Sequence, residues 1–301
     1  NLVRGIDFEV MPGETLALVG ESGSGKSLTA LSIMRLLARN AQWHCQGQVL
    51  FHNGTEPAQD LLTLSEQSIR QLRGHQVAMI FQEPMTCLNP VMTVGQQIAE
   101  SARLHLGLDQ AAANARALRA LEQVEIPAAY QRFHEYPHQL SGGMRQRVMI
   151  AMSMVCEPRL LIADEPTTAL DVTIQAQILN LMSRLQKDTG MAMLFITHNL
   201  GVVAHHAERV AVMYAGQIVE HGKVGEVFAK PQHPYTQGLL ACLPGRARQL
   251  SKQTGKTVAL QDIPGQAPSM AETPQGCSFA PRCSACQTSC KEILPTWRGS
   301  A

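Results

Sequence analysis

The sequence has no apolar run long enough to cross a membrane. Its longest uncharged apolar stretch, residues 148–156, is far shorter than the roughly 18–20 residues that a transmembrane helix needs. The first residues also lack the basic, apolar and small-residue order of a secretory signal peptide. We therefore expect a chain that is cytosolic or that lies against a membrane from the cytosolic side.

The chain also has little net charge. Lys and Arg number 25, Asp and Glu number 24, and the formal balance is +1. No global basic field attracts nucleic acid, so a nucleic-acid partner is not expected. At 301 residues, of which 45% are hydrophobic, the chain is long enough for a large core and for about two domains.

What the sequence does contain is a phosphate-binding loop. Residues 20–27 fit the pattern G-x-x-x-x-G-K-[ST], after an apolar strand predicted at 15–19 and before a helix predicted at 28–37. The strand–loop–helix setting supports the motif, whereas a chance glycine-rich turn is the alternative. The residues expected to contact a nucleotide polyphosphate are Gly20, Glu21, Ser22, Gly23, Ser24, Gly25, Lys26, Ser27 and Leu28.

The chemistry of this loop explains its spacing. Glycines let backbone N–H groups approach a polyphosphate without Cβ clashes, and the helix N-terminus adds roughly half a positive charge. Lys26 can reach the β- and γ-phosphates, and the Ser27 hydroxyl can ligate Mg²⁺.

Polar side chains follow further predicted strands. Gln82 ends a strand predicted at 76–81, where an open α/β sheet places ligand contacts. Asp164 and Glu165 follow apolar residues 160–163; Asp164 suits orientation of Mg²⁺, and Glu165 suits polarising the water that attacks the γ-phosphate. His198 ends the strand predicted at 193–197, which we expect to be the last, and suits a γ-phosphate contact. A surface glutamine, a solvated acidic turn and a structural histidine are the alternatives.

The middle of the chain changes character. Residues 91–136 are alanine-rich without a strand pattern and predict an all-helical insertion into the α/β core. Ser141, Gly142 and Gly143 then precede another helix and suggest a second anion-binding N-terminus, with a simple helix cap as the alternative. We expect four segments: an ATPase core at 1–82 and 144–243, a helical subdomain with this motif at 83–143, and a C-terminal extension at 244–301.

In this order the motifs resemble the nucleotide-binding domain of an ABC transporter, over about residues 1–240. The resemblance implies an α/β, P-loop NTPase fold of the ABC type, with an inserted α-helical subdomain and a Cys-rich C-terminal extension. It implies ATP as substrate and Mg²⁺ held by Ser27, Gln82 and Asp164. The implied roles are a Walker A loop at 20–27, a Q-loop at Gln82, a signature sequence including Ser141, Gly142, Gly143 and Gln146, a Walker B Asp164, a general base Glu165, a D-loop Asp171 and a switch His198.

One feature of the family is not seen. The adenine-stacking aromatic normally precedes the phosphate-loop strand, yet no Tyr or Trp precedes Gly20. Because residue 1 is Asn and residues 2–10 already resemble a strand, we expect the true start to lie upstream.

In this family two domains dimerise head to tail around two MgATP, so that the signature of one chain caps the nucleotide of the other. Residues 148–152, 164–172 and 233–236 are similar to the di- and oligopeptide importer ATPases, whose relatives also import nickel or glutathione. The implied partners are a second homologous ATPase subunit in a heterodimer, two transmembrane permease subunits and, indirectly, an extracytoplasmic solute-binding protein. The implied location is peripheral, on the cytoplasmic face of the inner membrane.

A non-transport ABC ATPase of DNA repair or translation is the rival. Repair members of the coiled-coil type carry a very long insertion before the signature, and translation members usually carry two phosphate loops; neither feature is present. A catalytically silent regulator is disfavoured because Lys26, Asp164, Glu165 and His198 are all in place.

The cysteines concentrate near the end of the chain. Of eight, four lie within residues 277–290, and this spacing suits a Cys₄ site for iron–sulfur or zinc. These four are Cys277, Cys283, Cys286 and Cys290. Reduced structural thiols are the alternative. The resemblance implies an iron–sulfur (4Fe–4S) cluster in some peptide-importer ATPases, and leaves Cys286 as either a ligand or an extra thiol. His233 lacks ligand spacing and is expected at the surface.

Overall fold

The computed structural model describes residues 2–38, 44–54, 57–82, 87–168, 170–243, 245, 262–268 and 275–294. The chain forms two compact units. The first unit comprises Asn1–Glu9, Leu16–Thr29 and Ile196–Ala301, and the second comprises Val10–Thr15 and Ala30–Phe195. Within the described ranges, every helix is too short or too polar to traverse a bilayer.

The strands are β1 (Thr15–Val19), β2 (Leu50–Phe51), β3 (Gln59–Asp60), β4 (Val77–Ile80), β5 (Leu160–Asp164), β6 (Ala192–Thr197), β7 (Arg209–Tyr214) and β8 (Gln217–Lys223). The helices are α1 (Lys26–Ile33), α2 (Glu66–Leu72), α3 (Val94–Leu106), α4 (Gln110–Gln123), α5 (Ala129–Phe133), α6 (Gly142–Met154), α7 (Val172–Thr189), α8 (Leu200–His206), α9 (Val224–Ala229), α10 (Pro234–Ala241) and α11 (Ser289–Glu292). Short 3₁₀ turns occupy Pro137–Gln139 and Ala280–Arg282.

The first unit is organised on β1. All five residues of this strand are buried, as expected for an uninterrupted apolar run in a parallel pair. β1 lies parallel to β7, and β7 turns back through a two-residue connection into the antiparallel β8. The prediction that the strand at 193–197 is the last is therefore wrong, because β7 and β8 follow it.

The predicted strand at residues 2–10 is also wrong. These residues carry no strand assignment in the structure. The Arg4 N–H instead donates to the carbonyl of Gly216 (2.7 Å), and the Arg4 side chain donates to the carbonyl of Ala215 (2.8 Å). The segment thus bonds to the turn between β7 and β8 and not to the edge of a sheet.

The second unit places two predicted polar positions at strand ends. β4 and β5 are parallel neighbours, with Val77 opposite Leu160 and Ile80 opposite Ala163. Gln82 follows β4 and Asp164 ends β5, as predicted. The strand predicted at 47–51 is shorter than expected, because only β2 forms there and pairs with β3.

The predicted helices of the middle region are confirmed as helices. A capping box between Thr93 and Gln96 begins α3, Gly107 ends it at φ +65°, and Asp109 caps α4. α3 packs against α4, and both contact α6. The status of this region as a separate subdomain stays a prediction.

Much of the predicted C-terminal extension, residues 244–301, lies outside the described residues. In the Cys-rich part, the Cys277 N–H donates to the carbonyl of Cys290 (2.8 Å), which closes this segment on itself.

A glycine of α3 generates a test of the helical packing. A Cβ at Gly95 would overlap the ring of Phe133, which is itself nearly buried. We expect Gly95→Ala to lower the free energy of unfolding by about 1 kcal/mol or more, despite the better helix propensity of alanine. Urea unfolding followed by circular dichroism measures this change.

Gly225 in α9 is the matched control, because a Cβ there would meet no atom within 4 Å. Gly225→Ala is expected to be neutral or stabilising by up to about 1 kcal/mol. Equal effects of the two substitutions would contradict the packing described for α3.

Candidate functional site

The phosphate loop lies in the first unit, between β1 and α1. Ser24 and Lys26 are buried, whereas Ser22 and Gly23 are exposed at the tip of the loop. The Lys26 ammonium donates to the carbonyls of Gly20 and Glu21, each at 2.9 Å, and to the Ser24 hydroxyl at 3.4 Å. The loop therefore curves around the Lys26 ammonium. This ammonium lies at the N-terminus of α1, and a helix N-terminus favours binding of an anion.

The loop packs closely against the hairpin of β7 and β8. A Cβ at Gly20 would overlap the carbonyl oxygen of Met213. The Gly216 N–H of the hairpin turn donates to the carbonyl of Ser24 (2.8 Å). Glycine is needed at residue 20 because two backbones meet there, which is a packing reason in addition to the predicted approach of the loop to a polyphosphate.

Glu21 joins the loop to two residues that are distant in sequence. Its N–H donates to the phenol oxygen of Tyr235 at 2.9 Å, and its carboxylate accepts from Arg282 at 2.9 Å. Both partners lie more than two hundred residues away along the chain. Sequence reasoning assigned neither to the site: Tyr235 was noted only within the stretch 233–236 that is similar to the peptide-importer ATPases, and nothing near Arg282 in sequence indicates a contact with the loop.

Tyr235 is fully buried at the start of α10. Burial raises the pKa of its phenol, so the group stays neutral and can serve as a hydrogen-bond acceptor. His233 caps the same helix, because its Nδ1 accepts the Tyr235 N–H at 3.1 Å. The expectation of a surface His233 is wrong: the ring is half-buried beside Phe279, and burial lowers its pKa.

In the second unit the structure brings two predicted residues together. The Gln82 Nε2 donates to the Glu165 carboxylate at 3.3 Å, and the Thr168 hydroxyl donates to the same carboxylate oxygen at 3.0 Å. Glu165 follows β5 with a φ of +46°, a conformation that costs a non-glycine residue about 1–3 kcal/mol. Asp164, just before it, is buried.

Asp171 is the N-cap of α7. Its Oδ1 accepts the N–H groups of Thr173 and Ile174, at 3.1 and 3.0 Å. Asp171 therefore stabilises the start of α7, in addition to the D-loop role that the resemblance implies.

Ser141 caps α6, and its hydroxyl accepts the Met144 N–H at 3.4 Å. Ser141 and Gly142 are exposed, so the N-terminus of this long helix faces solvent. Gln146 is different: it is fully buried, and among the described residues neither its amide oxygen nor its amide nitrogen has a hydrogen-bond partner.

His198 follows β6 in the first unit and is exposed. The adjacent Asn199 begins α8, because its side chain accepts the Gly201 N–H at 3.0 Å. The predicted site residues are thus divided between the units. The phosphate loop and His198 belong to the first, and Gln82, Ser141, Asp164, Glu165 and Asp171 belong to the second.

The Cys-rich segment does not fit the cluster that was predicted. Among the described residues, which include all four cysteines, no three His, Cys, Asp or Glu side chains converge on a point where they would hold a metal ion. The expectation of an iron–sulfur or zinc site is therefore not supported, and no catalytic role is derived from one.

Comparison with protein families gives two matches. Residues 3–168 match the family described as ABC transporter, and residues 219–290 match the family described as oligopeptide/dipeptide transporter, C-terminal region.

Individual relatives agree with these matches. A protein of Brucella melitensis named as a peptide import ATP-binding protein is 54% identical over 295 residues, covering 97% of this chain and 86% of its own length. A protein of Sinorhizobium fredii named as a peptide ABC transporter ATP-binding protein is 51% identical over 291 residues, covering 97% of this chain and 84% of its own length.

A solved structure is also similar. An ATP-binding cassette, determined as a dimer in a post-hydrolysis state with ADP and Pi, superposes with a TM-score of 0.64 at 25% identity. The match covers 74% of this chain and 90% of the solved one.

The bond between Tyr235 and the loop generates a prediction. Tyr235→Phe removes the acceptor of the Glu21 N–H and leaves that donor without its partner. We expect a loss of about 1–3 kcal/mol in the free energy of unfolding, the usual cost of an unsatisfied donor. Chemical denaturation of the two proteins measures it.

Tyr130→Phe is the matched control, because Tyr130 is 73% exposed and its hydroxyl can be replaced by solvent. That variant is expected to stay within about 0.5 kcal/mol of the parent. A Tyr235→Phe protein as stable as Tyr130→Phe would show that the phenol does not support the loop.

Proposed function

The chain belongs to the ATP-binding proteins of ABC transporters, and on that premise we propose that it is the ATP-hydrolysing subunit of an importer of di- and oligopeptides. The observation that carries the proposal is the presence of two family regions in one chain. An ABC transporter region is followed by an oligopeptide/dipeptide transporter C-terminal region. The names of the relatives favour peptides over nickel or glutathione, and over repair or translation.

In the first unit, the proposal assigns the polyphosphate to the phosphate loop. The Lys26 ammonium bonds to the carbonyls of Gly20 and Glu21 in this structure, and it can exchange these neutral acceptors for charged phosphate oxygens, which bind it more strongly. The backbone N–H groups at the start of α1 add donors for the same anion. His198 is proposed as a further contact to the γ-phosphate.

In the second unit, the proposal assigns the attacking water to Glu165. A carboxylate there can take a proton from water as it attacks, which is the role of a general base. The bonds from Gln82 and Thr168 orient this carboxylate. Asp171 is proposed to contribute at the D-loop.

Mg²⁺ is proposed to be held by Ser27, Gln82 and Asp164. A hydroxyl, an amide oxygen and a carboxylate are hard oxygen donors, which suit this ion. When bound, it would neutralise charge on the β- and γ-phosphates.

A second copy or homologue is proposed to complete each site. The exposed N-terminus of α6, with Ser141, Gly142 and Gly143, would cap the γ-phosphate held by the partner, while the buried Gln146 would act only by supporting the helix. A solved relative is described as dimeric, which agrees with this arrangement. We propose a heterodimer with a homologous ATPase, bound to two permease subunits on the cytoplasmic face of the membrane and supplied by an extracytoplasmic binding protein.

The segment division of the sequence is retained as part of the proposal. Core residues 1–82 and 144–243 would carry the ATPase, residues 83–143 would form the helical subdomain with the signature motif, and residues 244–301 would form the C-terminal extension.

Glu165→Gln tests the assignment of the base. The amide keeps the size of the side chain but cannot accept a proton from water. Hydrolysis is expected to fall about 10²- to 10⁴-fold, the contribution of a general base. Release of inorganic phosphate under saturating MgATP measures the rate, and binding of MgATP is expected to persist.

Lys26→Ala is the companion variant. It removes the cation of the phosphate loop, so binding of MgATP itself is expected to be lost, and calorimetric titration measures this. Undiminished turnover in Glu165→Gln, or normal MgATP affinity in Lys26→Ala, would reject the proposed site.

The cargo is tested in proteoliposomes that contain the full transporter, with ATP on the side of the ATPases. We expect ATP-dependent uptake of a labelled tripeptide, and loss of that uptake with Glu165→Gln, because the stroke requires hydrolysis. Uptake of Ni²⁺ or labelled glutathione under the same conditions, without uptake of peptide, would contradict peptide import.

A further inference from the structure

Glu21 presents a physical problem in the phosphate loop. The loop is built to attract a polyphosphate, yet its second residue carries a carboxylate that would repel one. The Glu21 side chain is 29% exposed, so solvent does not screen it fully. Something in the protein must offset this charge if the loop is to bind a nucleotide well.

Arg282 supplies the opposite charge. Its Nη1 lies 2.9 Å from the Glu21 Oε2, and its side chain is only 6% exposed. Burial alone would lower the pKa of Arg282, but the hydrogen bonds that it donates to Glu21 and Tyr214, together with the charge interactions with both groups, outweigh burial and raise the pKa overall. The pair is thus a partly buried, charge-assisted hydrogen bond, in which the arginine side chain is the more deeply buried partner.

The guanidinium is held in place on its other sides. Its Nε donates to the carbonyl of Pro264 at 3.0 Å, and its Nη2 donates to the carbonyl of Ile263 at 3.2 Å. It also lies over the rings of Tyr214 and Phe279, at 5.8 and 6.0 Å from their centroids. A guanidinium with so many contacts keeps one orientation, which is the use of its planar fork.

The backbone of Glu21 is held as well. Its N–H is bonded to Tyr235 and its carbonyl to Lys26, so Glu21 joins the C-terminal extension, α10 and the loop lysine. A change in the Arg282 contact would therefore reach the residue whose carbonyl accepts from Lys26.

We infer that Arg282 is a positioning residue for nucleotide binding: it neutralises Glu21 and holds the second residue of the phosphate loop, so that the C-terminal extension is part of the ATP site. This inference rests on the proposed function. The Cys-rich segment then contributes to the ATP site through its arginine.

The test compares Arg282→Gln, Glu21→Gln and the double variant in the full chain, by calorimetric titration with MgATP at low salt. Arg282→Gln is expected to weaken binding about tenfold, the order of one unbalanced charge acting through an effective dielectric of about 20. Glu21→Gln alone is expected to bind MgATP more tightly than Arg282→Gln does, because the repelling charge is gone. The double variant is expected to recover the same affinity, and added salt is expected to shrink the defect of Arg282→Gln.

Arg116→Gln is the matched control. Arg116 is also partly buried, pairs with Glu157 at 3.0 Å and donates to the carbonyl of Val155, but it lies in the helical region. That variant is expected to bind MgATP as the parent does. Unchanged affinity in Arg282→Gln, or a double variant as weak as Arg282→Gln, would overturn the inference, since the second result would reduce Arg282 to a structural anchor.

Thermal unfolding of each variant is recorded first. Should Arg282→Gln fail to fold, Arg282→Lys carries the test, because lysine keeps the charge but cannot reproduce the guanidinium's set of bonds. Near-parental affinity at low salt supports the inference, and a tenfold loss overturns it. Failure of the proposed function itself is distinguishable, since Lys26→Ala would then bind MgATP normally.

Discussion

The close approach of two backbones beneath the phosphate loop is the constraint on which the rest of the first unit depends. Gly20 lies against the carbonyl of Met213, and Ser24 accepts a bond from Gly216 in the next turn. Neither contact leaves space for movement, so the position of the hairpin of β7 and β8 sets the curvature of the loop. Lys26 can bond to the carbonyls inside that curve only because packing against the hairpin fixes the backbone conformation of the loop.

This dependence explains which parts of the fold were predictable. β1, β5 and β6 are mostly apolar runs, and such runs predict buried strands from the sequence alone. β7 and β8 were missed, although the two-residue connection Ala215 and Gly216, with φ values of +46° and +82°, is a usual hairpin turn. Gly216 was the only residue of this turn that indicated a hairpin from the sequence. At residues 2–10 a strand was predicted that does not form. An apolar pattern permits a strand, but it cannot supply the neighbouring strand with which it must pair.

The site follows the same rule. The glycines and Lys26 of the phosphate loop, the caps at Ser141 and Asp171 and the carboxylates after β5 were predictable, because each depends on its immediate neighbours. Arg282 and Tyr235 were not, because their partner Glu21 is distant in sequence and the contact exists only after folding. The metal site predicted from the cysteine spacing is unsupported for a related reason: ligand spacing is necessary for such a site, but convergence of the thiols is a tertiary property, and the described residues do not show it.

In the second unit, the contacts of Glu165 determine how the proposed base is oriented. Glu165 is held in a left-handed conformation whose cost, about 1–3 kcal/mol, must be met by its surroundings. Bonds from Gln82 and Thr168 meet at one carboxylate oxygen, while the Thr168 N–H donates to the Glu165 carbonyl at 3.1 Å. Gln82 is exposed at the end of β4, so a partner that touches this residue acts on the proposed base through a single hydrogen bond. Of these two bonds, the one from Gln82, at 3.3 Å, is longer than the one from Thr168, at 3.0 Å, and is therefore the weaker. We propose that a partner which binds Gln82 changes the rate of hydrolysis by making or breaking this bond.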